Sequence, residues 1–305
     1  MGPISTPAHG ASKEMGVRVA MIARQLIEQP QDEIGSIMIP PVLAERLSQR
    51  ARQQHARYPA NLIEYRLLCS LAISGWSHRL SHAWAATLDF RTHKPRVQED
   101  SGTFKRAFLH LQEAGLWTTD LVPLHGSNEV PLVSLTPLGR DLLADAGLPP
   151  APTEAEVITV RHRGAEGGQP QRGHTAAICA FTHYARTLGY DTEVCPDISD
   201  GVAGLLEPDV KIVDDVGAIT FVEVQRRGGR KEQWAEKCLG QFAGQGFAAI
   251  CAVSPQQAQR YAHEARRAGV GRGFLTDLLT LYHERPASLW THRWEDRVGP
   301  LIEVP

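Results

Sequence analysis

Apolar residues recur at helical spacing in several stretches of this chain and form short dense runs in others. In Leu62–Ile73, Ile63, Leu67, Leu68 and Leu71 fall on one side of a predicted helix. A shorter helix is predicted over Ser77–Leu88. A third, running to Ala114, has Ser101 as its N-cap and Phe104, Phe108, Leu109 and Leu111 as its apolar face. Gly115 ends it. Leu116–Thr119 and Val130–Leu135 then read as short strands around a turn-rich segment. Thr136-Pro137 has the form of a helix start, with the cap first and proline in the first turn.

The second half carries a different rhythm. His174–Leu188 is an amphipathic helix that Gly189 breaks, and Tyr190–Val194 is a strand. Glu207–Val213 and Ile219–Gln225 read as two apolar strands joined by a tight turn at Asp214-Asp215-Val216-Gly217. A helix follows from Lys231 to Phe242, then the wholly apolar run Phe247–Val253, a buried strand. Pro255–Ala268 is a helix, and the last apolar strand is expected near Leu278–Leu281.

These elements divide the chain. Residues 1–12 are small, polar and Pro/Gly-containing, and are expected to be disordered. Residues 13–58 read as a helical extension, Glu14–Glu28 and Val42–Ala56, able to meet a second subunit or a partner protein. Residues 59–147 form one small domain. Residues 148–173, with Leu148–Thr153 rich in proline and a Gly-rich stretch after it, read as linker and mobile loop. Residues 174–305 form the second domain.

Composition excludes some classes. No apolar run approaches the ~20 residues of a membrane span. Hydrophobic content of 42% and charged content of 22% are those of an ordinary globular protein. The start lacks the basic-then-apolar pattern of a signal peptide. The five cysteines are scattered and odd in number, which points to reduced core thiols in a cytoplasmic protein. A net charge of −2 argues against a uniformly cationic nucleic-acid binder but leaves room for a local basic surface. His78 and His82 have helical spacing without a third ligand nearby, and read as a polar helix face.

The chemistry concentrates on the strand pair. If the two strands run antiparallel, Asp209 and Glu223 come close together, and two such carboxylates can hold a hard divalent cation, Mg2+ or Mn2+. A cation there can activate water against a phosphodiester. Glu223 stands in an apolar strand, where a carboxylate needs a partner or a cation. Pro196-Asp197 is a competing Pro-Asp and reads as a turn. Gln225 carries no charge. The positive charge of such a site then falls to Lys237, on the following helix, or to Lys211, which shares a face with Asp209.

The pattern Pro208-Asp209, then Glu223-Val224-Gln225, resembles the Pro-Asp…(Asp/Glu)-x-Lys signature of the PD-(D/E)XK nuclease superfamily, with Gln225 at the lysine position. The order of elements from Arg172 to Leu281 is similar to that fold: a mixed central sheet flanked by helices, an α/β architecture. The phrases Leu111-Gln112-Glu113-Ala114-Gly115-Leu116 and Leu135-Thr136-Pro137-Leu138-Gly139-Arg140 resemble those of winged-helix regulators. That likeness implies an α+β winged helix whose third helix enters the major groove. Lys105 and Arg106 on that helix, with Arg91, Lys94 and Arg96 in the loop before it, are the expected phosphate contacts. The whole chain is similar to the replication-relaxation family of mobile-element and plasmid proteins, which pair these two domains.

The resemblance implies a Mg2+- or Mn2+-dependent DNA endonuclease. Asp209 and Glu223 would be its metal ligands and Gln225 and Lys237 its further catalytic residues. Two alternatives stand beside it. One is a non-catalytic DNA-binding regulator of replication or transcription on a degenerate nuclease fold. The other is a subunit of a defence or transposition assembly.

Overall fold

The computed structural model describes residues 39–47, 60–89, 94–95, 101–125, 128–162, 172–197, 208–226, 231–296 and 299–304. The expected disordered start, the helix Glu14–Glu28, most of the second helix of the extension, and the Gly-rich stretch 163–171 lie outside these residues. The chain divides into two compact units. Among the described residues, one comprises 39–121 and 131–156, and the other comprises 122–130 and 157–304.

The first unit begins with α1 (Pro41–Ala44), followed by α2 (Ala60–Ser74) and α3 (Arg79–Thr87). A two-residue antiparallel pair, β1 (Leu88–Asp89) and β2 (Lys94–Pro95), precedes α4 (Gly102–Glu113). The hairpin β3 (Trp117–His125) and β4 (Asn128–Leu135), of which residues 122–130 are grouped with the other unit, leads into α5 (Pro137–Asp145). On α4 the buried residues are Phe104, Ala107, Phe108 and Leu111. They follow the i, i+3, i+4, i+7 stripe that seats a helix on a core. Leu109 falls off that stripe and is exposed, contrary to its expected place on the apolar face. Phe108 stacks on Trp117 at 5.0 Å, and the Trp117 indole N–H donates to the Phe108 carbonyl at 3.1 Å. That bond lets the largest core side chain be buried without an unpaired donor.

The Thr136–Arg140 phrase has a physical reason. Thr136 Oγ1 accepts the Gly139 N–H at 3.0 Å and donates to the Gly115 carbonyl at 2.5 Å, while Thr136 N–H donates to Leu116 O at 3.1 Å. The threonine therefore caps α5 and fastens its start to the turn that ends α4. Gly139 allows this closeness, because a Cβ there would stand 2.0 Å from the Leu116 carbonyl oxygen. The Pro-rich stretch after α5 lies on the same unit. Ala151 N–H donates to Ala72 O and Glu154 N–H to Gly75 O, and Thr153 is buried.

The second unit is a mixed α/β domain with a seven-stranded sheet flanked by helices. Its strand order is β11-β10-β9-β8-β7-β6-β5, where β5 is Asp191–Val194, β6 Val210–Val213, β7 Ile219–Gln225, β8 Ala248–Ala252, β9 Gly273–Asp277, β10 His292–Trp294 and β11 Ile302–Glu303. The central three, β7, β8 and β9, are parallel, and the outer pairings are antiparallel. Each residue of β8 is buried, as a central strand covered on both faces requires. Parallel neighbours need crossovers, supplied here by α8 (Lys231–Gln245) and α9 (Pro255–Arg267). On their side of the sheet, Trp234, Cys238, Tyr261 and Ala262 pack on Ala248, Ile250 and Leu275. The opposite face carries α7 (Arg172–Thr187), whose Phe181 lies near Trp290, itself beside Phe274 of β9.

The strand expected near Leu278–Leu281 is helical instead, as α10 (Leu278–Glu284), and the last parallel strand lies just before it at β9. Asp277 makes the switch by accepting the Thr280 N–H at 2.9 Å as an N-cap. Leu278 and Leu281 remain buried, now at helical spacing. All five cysteines are free thiols and four are buried. No described helix is long and apolar enough to cross a membrane.

Gly139→Ala is expected to destabilise the first unit by about 1–3 kcal/mol, because the methyl group meets fixed backbone instead of a yielding side chain. Urea unfolding followed by tryptophan fluorescence measures it. An unchanged midpoint would mean that the approach of α5 to Leu116 is not a constraint.

Candidate metal centre at the end of the paired strands

The turn between β6 and β7 sets the register. Asp214 Oδ1 accepts the Val216 and Ala218 N–H groups, and Gly217 takes φ +83°, a conformation that favours glycine. The strands then pair antiparallel with Val210 opposite Val222. One step along the ladder stand Asp209 and Glu223, both buried (2% and 1% exposed). The parallel pairing of β7 with β8 puts Glu223 in register with Ile250, so its side chain belongs to the α8 face of the sheet.

Lys237 of α8 forms an ion pair with Glu223 Oε1, and Gln225 Nε2 donates to the same oxygen at 3.2 Å. Asp209 is held differently. Its Oδ2 accepts the Val224 N–H at 2.8 Å, and its Oδ1 is 3.1 Å from His174 Nε2. His174 lies in the first turn of α7. The preceding Gly173 leaves room for the Arg226 side chain, since a Cβ there would stand 2.1 Å from the guanidinium carbon. The residue that follows the Glu-x-Gln strand thus rests on the start of the helix that presents His174.

A second imidazole reaches the same carboxylate. His162 stands just past α6 (Glu154–Arg161), with its N–H donating to Ile158 O. His162 Nε2 is 4.0 Å from Asp209 Oδ1, and the two histidine rings lie 5.1 Å apart. The ligand atoms of His162, His174 and Asp209 all fall within 4.8 Å of one another. Cys195 flanks them: its Sγ is 3.7 Å from His162 Nε2, and its backbone N–H donates to the Asp209 carbonyl at 2.9 Å.

The two carboxyls are driven apart electrostatically. Burial pushes Glu223 up to about 8, the charge of Asp209 adds to that, and Lys237 and Gln225 offset only part. Burial also acts to raise Asp209, but the hydrogen bond and charge of His174, then Lys237 and the Val224 N–H, outweigh it. They hold Asp209 below the ordinary carboxylate range. Asp209 is the anion of the pair, and Glu223 is the group that a nearby cation would return to its charged form.

Asp209, Glu223, Gln225 and Lys237 are thus brought together. Lys211, the other lysine considered, pairs with Glu193 of β5 at 2.9 Å, directly across the ladder. Asp197 is exposed. Lys105 and Arg106 lie on the exposed side of α4. Lys94 is in β2, and Arg91 and Arg96 lie outside the described residues. Nothing in the sequence marks His162 or His174 as ligands. They are separated by the Gly-rich stretch, so no short metal-binding spacing marks them, and only the folded chain brings their rings together.

No protein-family model, no curated protein and no solved structure matches this chain.

The raised Glu223 couples stability to pH. Between its ordinary 4.5 and about 8 the folded protein keeps a proton that the unfolded chain has released, so stability falls as pH rises through that window. Glu223→Gln removes this dependence. In EDTA, the variant is expected to gain on the order of 5 °C in melting temperature relative to the wild type between pH 5 and pH 9. Parallel melting curves across that range would show that Glu223 is ionised throughout. Asp209 works in the opposite direction, and its contribution is lost as pH falls below the ordinary carboxylate range.

Proposed function

We propose that this protein is a metal-dependent DNA endonuclease of the PD-(D/E)XK type, brought to DNA by a winged helix in its first unit. The observation that carries this reading is the pair of buried carboxylates, Asp209 and Glu223, at adjacent ladder positions with Lys237 ion-paired to Glu223. Two buried acids, one raised to about 8 first by its burial and then by the charge of the other, form a donor set that suits a divalent cation. Asp209 and Glu223 would hold Mg2+ or Mn2+. When bound, such an ion polarises a phosphoryl oxygen and lowers the pKa of a coordinated water.

The chain's own groups do the rest. Lys237 carries a fixed positive charge beside Glu223, where it favours the charge that builds on the scissile phosphate. Gln225 donates a neutral hydrogen bond to Glu223 and orients that carboxylate without moving a proton.

Support for the winged helix comes from the first unit. Helices α2, α3 and α4 precede the β3–β4 hairpin, and a bridge joins His78, between α2 and α3, to Leu132 of the hairpin. Lys105 and Arg106 project from α4 opposite its buried stripe, where phosphates or groove edges can be reached.

One observation favours a second reading, a DNA-binding regulator on a degenerate nuclease fold. Gln225 occupies the lysine position of the signature, and a glutamine there cannot supply a charge.

Cleavage of supercoiled and linear DNA with Mg2+, Mn2+ or EDTA separates the two. Metal-dependent cleavage that falls by roughly 10^3-fold in Asp209→Ala and in Glu223→Ala supports the enzyme. Tight binding without cleavage under either metal establishes the regulator. Lys105→Ala with Arg106→Ala is expected to weaken DNA binding and to lower the slope of log affinity against log salt by about 2.

A further inference from the structure

Two imidazole nitrogens converge on one carboxylate oxygen in the second unit. His174 Nε2 lies 3.1 Å from Asp209 Oδ1, which is a hydrogen bond, whereas His162 Nε2 lies 4.0 Å from it, beyond hydrogen-bond reach. Zinc–nitrogen and zinc–oxygen bonds of about 2.0 Å at tetrahedral angles set neighbouring ligand atoms about 3.3 Å apart. The separations around Asp209 Oδ1 bracket that value. The three ligands come from three separate elements, the end of α6, the first turn of α7 and the start of β6, so the site is assembled by the fold and not by one loop. The carboxylate at its base is buried, while His162 opens it to solvent and gives an ion a path of entry.

We propose that His162, His174 and Asp209 bind a zinc-class divalent ion, zinc or cobalt, in preference to magnesium. Imidazole nitrogens suit zinc, nickel and iron, whereas magnesium takes oxygen donors and keeps much of its water. Three protein ligands with one open position is also the form of catalytic zinc sites, in which water or substrate completes the shell. His174 gives up its hydrogen bond to Asp209 and presents the Nε2 lone pair. Asp209 keeps the Val224 N–H on its other oxygen, so its carboxylate plane stays fixed as the ion binds. The ion stays on the Oδ1 side of Asp209, while Glu223 remains with Lys237.

The inference goes beyond the nuclease reading, since it places a different ion on the Oδ1 side of Asp209 without Glu223, and its test is made without DNA so that each can fail alone. The full chain is stripped with EDTA and titrated by calorimetry with zinc chloride and magnesium chloride. Cobalt(II) is added in parallel to read the visible absorption of a low-coordinate cobalt centre. One zinc per chain, bound at least 100-fold more tightly than magnesium, is expected. His162→Ala and His174→Ala should each lose 10-fold or more of the zinc affinity and the cobalt absorption. His162 is on the surface, so its variant keeps the test open if His174→Ala fails to fold. Zinc affinity unchanged in both histidine variants, or magnesium binding as tight as zinc, overturns the proposal. Zinc bound through the histidines with no DNA cleavage sustains this site and removes the nuclease reading. Magnesium-dependent cleavage that needs Asp209 and Glu223, with zinc indifferent to the histidines, does the reverse.

Discussion

The buried carboxylate of Asp209 ties three parts of the second unit together. Its Oδ1 meets His174 of α7, its Oδ2 takes the Val224 N–H of β7, and its carbonyl oxygen takes the Cys195 N–H beyond β5. An unpaired buried carboxylate would cost several kcal/mol, so His174 and the Val224 N–H, which meet its two oxygens, are conditions of its burial. The Val224 N–H matters most for geometry. It extends the β6–β7 pairing past Val210 through a side chain and so fixes the end of the strand pair. The helix that covers the sheet is then positioned by its histidine as well as by its apolar stripe.

Glu223 depends on this arrangement. It lies beside Asp209 on a strand buried on both faces, and its environment favours the neutral acid. The ion pair with Lys237 lowers that preference without abolishing it. A folded domain tolerates such a pair because the sheet leaves no alternative. Parallel pairing with β8 puts Glu223 opposite Ile250, and a one-residue slip would carry Val222 and Val224 to the α8 face instead. Register is thus set by apolar residues, and the acid is held where their packing leaves it.

Much of this was legible in the sequence, and particular residues show why. The run at β8 has no polar residue, which marks it as buried, and the sheet confirms it as a strand with every residue buried. Gly217 and the paired aspartates before it mark the turn, and the turn delivers Asp209 to Glu223. Lys237 is one of two candidates, placed by the resemblance on the helix that packs beside the strand pair, and its ion pair with Glu223 separates it from Lys211, which pairs with Glu193. Leu278–Leu281 misled because a short apolar run suits a strand or a buried helix equally. The cap at Asp277 decides between them, and its effect rests on a single hydrogen bond. His162 and His174 carried no signal as ligands, since ligand geometry here comes from the packing of α6, α7 and β6 and not from local spacing.

Gln225 then becomes intelligible. Lys237 and Gln225 both donate to Oε1 of Glu223, one as an ammonium and one as a neutral amide. A lysine at position 225 would set two ammonium groups on one carboxylate oxygen, a like-charge contact in a half-buried place. With Lys237 reaching down from α8, a neutral donor of similar length is what position 225 accommodates. Lys237 supplies the positive charge from the helix, and Gln225 on the strand keeps only a neutral hydrogen bond to the acid. In this site the charge comes from the helix and the neutral donor from the strand, both on the same carboxylate oxygen.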